Sequence, residues 1–411
     1  MQKNDEKKKV FVGVSGGVDS SVSAALLKQA GFDVTGVFIK VWQPDWIECN
    51  WKEERRDAMR VCAHLEIPFV TLDLEKEYKK DVTDYMIREY SLGRTPNPDV
   101  MCNRYVKFGG FLDWAKRHGA QYVATGHYAR VKRNCELGIE NYESKREYDV
   151  INSDKRGYRL LAGIDANKDQ SYFLWTLNQK DLPYILFPVG HLTKPEVRNL
   201  AEKFGLPTAK KKDSQGLCFI GKVDIKKFLS HYIETKSGNV LNERGEIIGT
   251  HPGALFFTNG ERRGFVIDRN NKTPNDLPYF VIDKDMDQNT ITVSNKDGVV
   301  TPGGEKIVTI SNVNWVSGQI PDFGTTQESS KTVTVQNSDK STMGKLVSPI
   351  TSDFPLQARS RYRQPLQNIS IVSANISELT LEFEQAQDVL SPGQSLVIYD
   401  GEECLGGGVI C

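Results

Sequence analysis

The sequence predicts an α/β domain with a doubly wound parallel sheet, followed by a small β-rich domain and a C-terminal β-barrel. Residues 10 to about 131 alternate between apolar strand-like runs and helical stretches, which is typical of a parallel sheet with crossover helices. After about residue 220 the pattern changes to two-residue alternation with frequent turn signals, which favours a β-rich half ending in a barrel. The chain has 411 residues, enough for two or three domains. We expect an N-terminal domain over residues 1–215, a central domain over 216–285 and the barrel over 286–411.

The same patterns predict the individual elements. Strands are predicted at "VFVGV", "DVTGVFIKVW", "PFVTLDL" and "AQYVATG", with helices at "KEERRDAMRVCAHLE" and "FGGFLDWAKRHG". Helical structure is also predicted for "DQSYFLWTL" and for "TKPEVRNLAEKFG", where Thr193 and Glu196 can form a capping box and Gly205 ends the helix. The polar stretches 133–158 and 317–353 are predicted to be a surface insertion and an extended loop.

Composition limits the classes of protein that need to be considered. The chain is 39% hydrophobic and 26% charged, and its formal net charge is zero. No apolar run approaches the roughly 20 residues that a membrane-spanning helix needs, and the charged start lacks the features of a secretory signal. Seven cysteines form no CxxC pair and no zinc-finger spacing. We therefore expect a cytoplasmic protein whose cysteines are reduced thiols.

The turn after the first strand is predicted to bind phosphate. In "VFVGVSGGVDSSVSAALL" a strand leads through a glycine-rich turn into a helix, so backbone N–H groups and the helix N-terminus converge on one point. The Walker pattern and the G-x-G-x-x-G pattern are both absent. Instead, "SGGVDSS" resembles the pyrophosphate-binding loop of the N-type ATP pyrophosphatases, which cleave ATP between the α and β phosphates. The resemblance implies ATP and Mg²⁺ as cofactors and adenylation as the reaction.

Two cysteines lie in unusual surroundings. In "GRTPNPDVMCNRYVKFG" the prolines hold the chain extended, and Asp99 is predicted to cap a helix that carries Cys102 near its start. A thiol near a helix N-terminus with basic neighbours is expected to be partly thiolate. Cys218 lies in the basic stretch "AKKKDSQGLCFIGK". Either cysteine taken alone could be structural.

Together the motifs resemble the tRNA-specific 2-thiouridylase (MnmA) family. The matching stretches are "SGGVDSS", "GRTPNPDVMCN", "ATGHYAR", "NKDQSYFL", "AKKKDSQGLCFIG", "SRYRQ" and "LSPGQSLVIYDGEECLGGGVI". The resemblance implies an ATP-binding α/β domain, a small central domain and a C-terminal barrel. It also implies that the C2 oxygen of uridine 34 in the tRNA anticodon stem-loop is replaced by sulfur. A cysteine desulfurase or a sulfur-relay protein would be the donor.

Residue roles follow from the resemblance, position by position. It implies that Cys218 carries a persulfide, that Cys102 is the partner thiol and that Asp99 is an acid/base or orienting group. The implied nucleotide-binding residues are Gly13, Val14, Ser15, Gly16, Gly17, Val18, Asp19, Ser20, Ile39 and Gly126. The implied tRNA-binding residues are Asn97, Pro98, Asp99, His127, Lys168, Asp169, Gln170, Arg361, Tyr362 and Gln394. Alternation in "RSRYRQ" also predicts that Arg359, Arg361 and Arg363 share one face of a strand.

Other interpretations remain open at this point. The phosphate loop alone would also fit another adenylating enzyme, such as an amidotransferase-like synthetase or a thiolase acting at a different RNA position. A tRNA-binding module without activity is an alternative from another class. Asp99, Cys102 and Cys218 could hold an iron–sulfur cluster instead of supporting a persulfide. The sulfur donor, the accepted tRNAs and the oligomeric state do not follow from the sequence.

Overall fold

The structure, a computed structural model, describes residues 7–46, 51–133, 157–212, 225–268, 277–295, 304–321, 355–375, 377–387 and 390–411. In the N-terminal part, five strands form one parallel sheet. They are β1 (Lys9–Gly13), β2 (Asp33–Lys40), β3 (Phe69–Asp73), β4 (Tyr122–Ala124) and β7 (Ile185–Leu186). Their order in the sheet is β3-β2-β1-β4-β7, so the predicted doubly wound domain is confirmed.

Helices cover both faces of this sheet. The separate helices are α1 (Val18–Gln29), α2 (Trp51–His64) and α7 (Lys194–Lys203). Two further helical runs each contain a π-helical segment. The first consists of α3 (Glu75–Tyr78), a π segment (Lys79–Thr83) and α4 (Asp84–Ser91). The second consists of α5 (Pro98–Met101), a π segment (Cys102–Phe111) and α6 (Leu112–Arg117). Because side chains alternate along a strand, Val10 and Val12 pack with α1, α2 and α7, whereas Phe11 packs with the run that contains Cys102.

The strand order creates a crevice at one edge of the sheet. Strand β1 pairs in parallel with β2 on one side and with β4 on the other, so the order in which strands are added to the sheet changes direction between β1 and β4. In open α/β sheets, ligands bind outside the carboxyl ends of the strands at such a switch point. The predicted phosphate loop follows β1, and the "ATGHYAR" stretch begins at the end of β4. The fold therefore brings these two motifs together.

The central domain is a small mixed sheet with one short helix. Its elements are α8 (Ile225–Leu229), β8 (Gly238–Leu241), β9 (Ile247–His251), β10 (Val266–Ile267), β11 (Phe280–Asp285) and β12 (Thr290–Ser294). The strand order is β10-β9-β8-β12-β11, and Met86 of α4 packs into the core of this domain. The hairpin of β11 and β12 crosses residue 285, so the expected boundary there lies within the central sheet.

The C-terminal part is a closed six-stranded barrel, as predicted. Its strands are β13 (Glu305–Trp315), β14 (Gln357–Arg359), β15 (Gln367–Ala374), β16 (Glu378–Gln387), β17 (Ser395–Asp400) and β18 (Glu403–Ile410). Pairing of β13 with β18 closes the barrel. The hairpin of β5 (Ala129–Arg133) and β6 (Tyr158–Ala162), which belongs to the N-terminal part of the chain, extends the barrel sheet beside β18. The barrel is thereby attached directly to the segment that follows the crevice.

One predicted helix is replaced by a different structure. The capped helix α7 is confirmed, with a capping box between Thr193 and Glu196. In "DQSYFLWTL", however, only a 3₁₀ turn over Ser171–Phe173 forms. The carboxylate of Asp169 accepts hydrogen bonds from the Ser171 N–H and hydroxyl, which holds the chain in a local turn instead of an α-helix.

None of the helices in the described ranges is long and apolar enough to cross a membrane.

Candidate active site

The phosphate loop has the form that an anion site requires. The Val14 N–H donates to the Val37 carbonyl of β2, which continues the sheet into the loop, and Gly17 is the extended residue before α1. The Ser20 hydroxyl accepts from the Ser15 N–H at 3.2 Å, which closes the loop. The first N–H groups of a helix have no acceptor within the helix, so those of α1 point into the crevice. The loop can therefore receive a phosphate through backbone N–H groups.

Two glycines allow neighbouring elements to press against this loop. Gly16 has a φ of +73°, and a Cβ there would lie 2.5 Å from the Glu54 carbonyl oxygen of α2. A Cβ on Gly126 would lie 2.7 Å from the Ser20 nitrogen. The space left by the missing side chain of Gly126 is thus taken by the phosphate loop itself. This contact holds the loop after β4 against the start of α1.

Asp19 connects the phosphate loop to two residues that sequence reasoning missed. Its Oδ1 accepts a hydrogen bond from the Tyr128 hydroxyl at 2.9 Å and another from Lys194 Nζ at 2.6 Å. Tyr128 is buried, and the Lys194 side chain is only 11% exposed. Tyr128 lies in the matched stretch "ATGHYAR", which could have identified it. Lys194 occupies the first position of a predicted helix, where a cation is unfavourable. This unfavourable placement is the feature of the sequence that could have singled out Lys194.

The helix that carries Cys102 begins two residues earlier than predicted. Asn97, and not Asp99, is its N-cap, since the Asn97 side chain accepts from the Val100 N–H at 3.3 Å. Pro98 can occupy the first helical position because that position needs no N–H donor. Asp99 therefore lies within the first turn and is half-buried. Cys102 follows one turn further on, where the π segment starts.

Cys102 is completely buried beneath the crevice. It belongs to an apolar cluster that includes Ile39 at the end of β2, the residue assigned to the nucleotide site by resemblance. Further along the same helical run, Phe111 lies where a Cβ on Gly13 would touch it, at 3.6 Å. The neighbouring Asn103 donates to the Phe173 carbonyl at 3.1 Å. The helical run thus joins the Cys102 position to the strand that leads into the phosphate loop.

Cys218 lies outside the described residues, but the segment that leads to it is anchored next to the phosphate loop. The Thr208 hydroxyl donates to that of Ser21 in α1 at 3.1 Å, and Lys211 Nζ lies 2.7 Å from Asp57 Oδ2 in α2. Burial acts to raise the pKa of Asp57, but hydrogen bonds from Lys211 and Arg60 hold it below its usual range. The residues up to Lys211, which precede Cys218 in the sequence, are therefore fixed beside the phosphate loop.

His127 is buried and neutral. Its Nδ1 lies 2.7 Å from the Thr125 hydroxyl, and Lys107 Nζ lies 3.4 Å from its Nε2. Burial, assisted by the charge of Lys107, holds the pKa of His127 well below its usual range. Because an ammonium group can only donate, Nε2 accepts and the proton resides on Nδ1. In this state Lys107, and not the imidazole, is the half-exposed group at this edge of the crevice.

The triplet Lys168, Asp169 and Gln170 holds several segments together. Asp169 is buried and pairs with Arg359 of the barrel. Gln170 Oε1 accepts from the Tyr128 N–H at 3.0 Å, which pins the loop after β4. Lys168 is half-buried. At least two members of the triplet therefore have structural partners in addition to any contact with RNA.

The arginines of "RSRYRQ" do not share a strand face. Strand β14 ends at Arg359, which is buried and donates to Asp169 and to the Tyr399 hydroxyl. Arg361 and Arg363 lie in the following turn and are exposed, and Arg363 has a φ of 65°. Alternation along the sequence predicted a longer strand, but the Gln364 side chain accepts from the Ser360 and Arg361 N–H groups and fixes a turn.

The segment before the Cys102 helix meets the barrel and the central domain. The Thr95 N–H donates to the Pro392 carbonyl at 2.7 Å, and the Thr95 hydroxyl lies 3.0 Å from that of Thr258. Gln394, in the same barrel loop as Pro392, is half-buried, and its Oε1 has no hydrogen-bond partner among the described residues. Tyr362 packs against Phe173, with ring centroids 4.7 Å apart. Gln394 thus lies in a barrel loop that is bonded to the segment before this helix, and Tyr362 packs against a residue whose carbonyl accepts from Asn103 of the same helical run.

In the described ranges, no group of three or more histidine, cysteine, aspartate or glutamate side chains could hold a metal ion. Cys218, one of the three residues that could hold an iron–sulfur cluster, lies outside these ranges.

Comparison with known proteins covers the whole chain. A family profile described as "tRNA methyl transferase HUP domain" matches residues 8–222, a "PRC-barrel domain" profile of the same family matches 226–295, and an "Aminomethyltransferase beta-barrel domain" profile matches 305–410. Three curated relatives, each named tRNA-specific 2-thiouridylase MnmA, are 41% identical. The protein of Lacticaseibacillus paracasei covers 98% of this chain and 94% of its own length, and that of Halalkalibacterium halodurans covers 99% and 96%. The protein of Enterococcus faecalis also covers 99% and 96%.

Solved structures are more distant. The U34-tRNA thiolase NcsA from Methanococcus maripaludis is 16% identical, with a TM-score of 0.32 over 56% of this chain and 67% of that one. NMN synthetase from Francisella tularensis is also 16% identical, with a TM-score of 0.29 over 52% and 69%. Neither likeness adds to the functional argument. The curated relatives are 41% identical over nearly the full length of this chain. The chain therefore belongs to the tRNA-specific 2-thiouridylase family.

Proposed function

We propose that the protein is an ATP-dependent enzyme that replaces the C2 oxygen of uridine 34 in tRNA with sulfur. The observation that carries this proposal is the identity of about two residues in five with curated 2-thiouridylases over nearly the whole chain. The family profiles contain the words methyl transferase, but the relatives match all three domains at once and are named for thiolation. The phosphate loop at the switch point supports the use of ATP, and Mg²⁺ would neutralise its phosphates.

The first step proposed is adenylation. The uridine O2 attacks the α-phosphorus of ATP, the bond from that phosphorus to the bridging oxygen breaks, and pyrophosphate leaves with the electron pair. Backbone N–H groups of the loop from Ser15 to Ser20 would hold the pyrophosphate portion. Gly13, Ile39 and Gly126 would complete the nucleotide site. Adenylation makes O2 a good leaving group, so a sulfur nucleophile can add to C2, after which the C2–O2 bond breaks and O2 leaves with AMP.

The second step proposed is sulfur transfer between two cysteines. A cysteine desulfurase or relay protein would load sulfane sulfur on Cys218 as a persulfide. The thiolate of Cys102 attacks Sγ of Cys218, a Cys102–Cys218 disulfide forms, and the outer sulfur is delivered to C2. A thiol reductant then returns both cysteines to thiols. Asp99, in the turn before Cys102, would orient the reacting groups or transfer a proton.

The tRNA is proposed to lie across the barrel and the start of the Cys102 helix. Asn97 and Pro98 would line the pocket of the target base. Exposed Arg361 would contact phosphate, and Tyr362 offers an aromatic face for an unpaired base. Contacts from His127, Lys168, Asp169, Gln170 and Gln394 are also proposed. His127 and Asp169 are buried, so their contacts with RNA would require local opening. The cytoplasm, where tRNA is modified, is the expected location.

The different roles proposed for Cys218 and Cys102 can be tested with single variants of each. Protein loaded with labelled sulfur is incubated with unmodified tRNA, ATP and Mg²⁺, and 2-thiouridine is measured by mass spectrometry. Cys218→Ser should take up no sulfur, and Cys102→Ser should load sulfur but not deliver it. The exposed Cys411→Ser serves as the matched control and should behave as the wild type. Full thiolation by Cys102→Ser, or AMP release that does not depend on tRNA, would contradict the proposal.

The same preparation separates the persulfide route from an iron–sulfur route. We expect anaerobically purified protein to thiolate tRNA without bound iron. Stoichiometric iron that is lost in Cys218→Ser would instead favour a cluster held by Asp99, Cys102 and Cys218.

A further inference from the structure

Lys194 is held in a defined position by the structure around it. It is the first residue of α7, directly after the capping residue Thr193. Its backbone N–H donates to Asp165 Oδ2 at 2.9 Å, and its ammonium group lies 2.6 Å from Asp19 Oδ1. The ammonium group is also 5.9 Å from the ring centroid of Tyr128. Both the backbone and the charged end of this lysine are therefore fixed.

The position is unfavourable for a cation on local grounds. A helix N-terminus carries about half a positive charge, so a lysine in the first turn weakens the helix. The favourable acid for this end, Glu196, is already present in the capping box of α7. Lys194 is also only 11% exposed, so it gains little from water. The stability of α7 does not explain why a lysine is at this position.

We propose that Lys194 is a pyrophosphate-binding residue, whose ammonium group contacts the β- and γ-phosphates of ATP and the pyrophosphate that leaves. The inference rests on the proposed function, because it concerns the ATP used in that reaction. Asp19 lies in the first turn of α1, directly after the N–H groups of the phosphate loop. A cation bonded to Asp19 is thus beside the anion site. In the absence of ATP, the carboxylate of Asp19 provides the negative partner that the phosphates provide when ATP is bound.

The chemistry of adenylation favours a fixed cation at this place in addition to Mg²⁺. When the bond between the α-phosphorus and the bridging oxygen breaks, the leaving pyrophosphate gains negative charge. A preorganised ammonium group stabilises that charge in the transition state more than in the ground state. Without Lys194, the carboxylate of Asp19 would face the phosphates and repel them. The alternative is that the pair only fastens α7 to α1.

Binding of pyrophosphate and of AMP to the full-length protein distinguishes these roles. Isothermal titration calorimetry with inorganic pyrophosphate, and separately with AMP, is carried out on the wild type, Lys194→Met and Lys194→Arg. We expect Lys194→Met to weaken pyrophosphate binding about tenfold or more, as for loss of a charge-assisted hydrogen bond. AMP binding should change less than about twofold, since AMP lacks the β and γ phosphates. Lys194→Arg should retain part of the pyrophosphate affinity.

Lys203→Met is the matched control, because Lys203 is exposed in the last turn of the same helix. It should bind both ligands as the wild type does. If Lys194→Met binds pyrophosphate normally, or loses pyrophosphate and AMP affinity equally together with a lower melting temperature, Lys194 is only a structural residue. Failure of the wild type itself to bind pyrophosphate would instead refute the ATP site and, with it, the proposed function. The Asp19→Asn/Lys194→Met double variant removes both charges and keeps the test possible if Lys194→Met does not fold.

Discussion

Arg359→Met should loosen the barrel from the N-terminal domain. Arg359 is 7% exposed and pairs with Asp169, which is 5% exposed, and it also donates to the Tyr399 hydroxyl at 2.8 Å. Removing one partner of a buried ion pair costs about 3–5 kcal/mol, because the other charge stays buried. Asp169 keeps three hydrogen bonds, from the Gly163 N–H and from the N–H and hydroxyl of Ser171. We therefore expect a loss of stability at the lower end of this range, about 3 kcal/mol.

Hydrogen–deuterium exchange measures this change locally, which suits a chain with several domains. The amides of β17, the strand that contains Tyr399, should lose protection roughly 100-fold, the equivalent of about 3 kcal/mol. Arg363→Met changes an exposed arginine of the following turn and should have almost no effect. Asp169→Asn combined with Arg359→Met should recover most of the loss, because no unpaired charge remains. Unchanged protection in Arg359→Met, or a double variant less stable than the sum of the single variants, would refute this reasoning.

Two further predictions concern the crevice. Gly126→Ala should raise the KM for ATP about tenfold or more, because the added Cβ would lie 2.7 Å from the Ser20 nitrogen and displace the phosphate loop. The KM is measured from tRNA-dependent pyrophosphate release at varied ATP concentration. An unchanged KM would contradict the steric argument. The pKa of His127 is depressed in the folded protein, so below about pH 6.5 the unfolded chain binds a proton that the folded chain does not. The free energy of unfolding therefore falls as the pH decreases, by up to about 1.4 kcal/mol per pH unit. His127→Gln should flatten this acid limb in urea titrations; a slope equal to that of the wild type would exclude His127 as its source.

Much of the N-terminal fold could be predicted because its signals are local. The uninterrupted apolar run of Val10, Phe11 and Val12 indicates a strand with two buried faces, and both faces are covered by helices. The capping box of Thr193 and Glu196 spans four residues and is present in the structure. The phosphate loop also forms within one short strand–turn–helix unit. In these cases the residues that make the structure are neighbours in the sequence.

Contacts between distant residues could not be predicted in the same way. Lys194 and Asp19 are 175 positions apart, and Arg359 and Asp169 are 190 positions apart. An arginine on a strand is usually exposed, so the alternation in "RSRYRQ" predicts one shared face for Arg359 and Arg361 and gives no sign that Arg359 is buried. Only the fold supplies the carboxylate that allows Arg359 to be buried. The sequence therefore predicts which groups carry charge, whereas the tertiary structure decides which of them face a ligand.

Thr95 connects all three domains at the point where the Cys102 helix begins. Its N–H bonds to Pro392 of the barrel and its hydroxyl to Thr258 of the central domain, and the helix starts three residues later with Pro98. Cys102 is fully buried, so on the proposed function the helix start or its neighbours must move before the thiol can reach a bound tRNA. The hydrogen bonds of Thr95 couple such a movement to both outer domains. A tRNA bound across the barrel and the start of this helix, as proposed, would then act on Cys102 through the protein backbone as well as through its own contacts, which would link substrate binding to the release of sulfur.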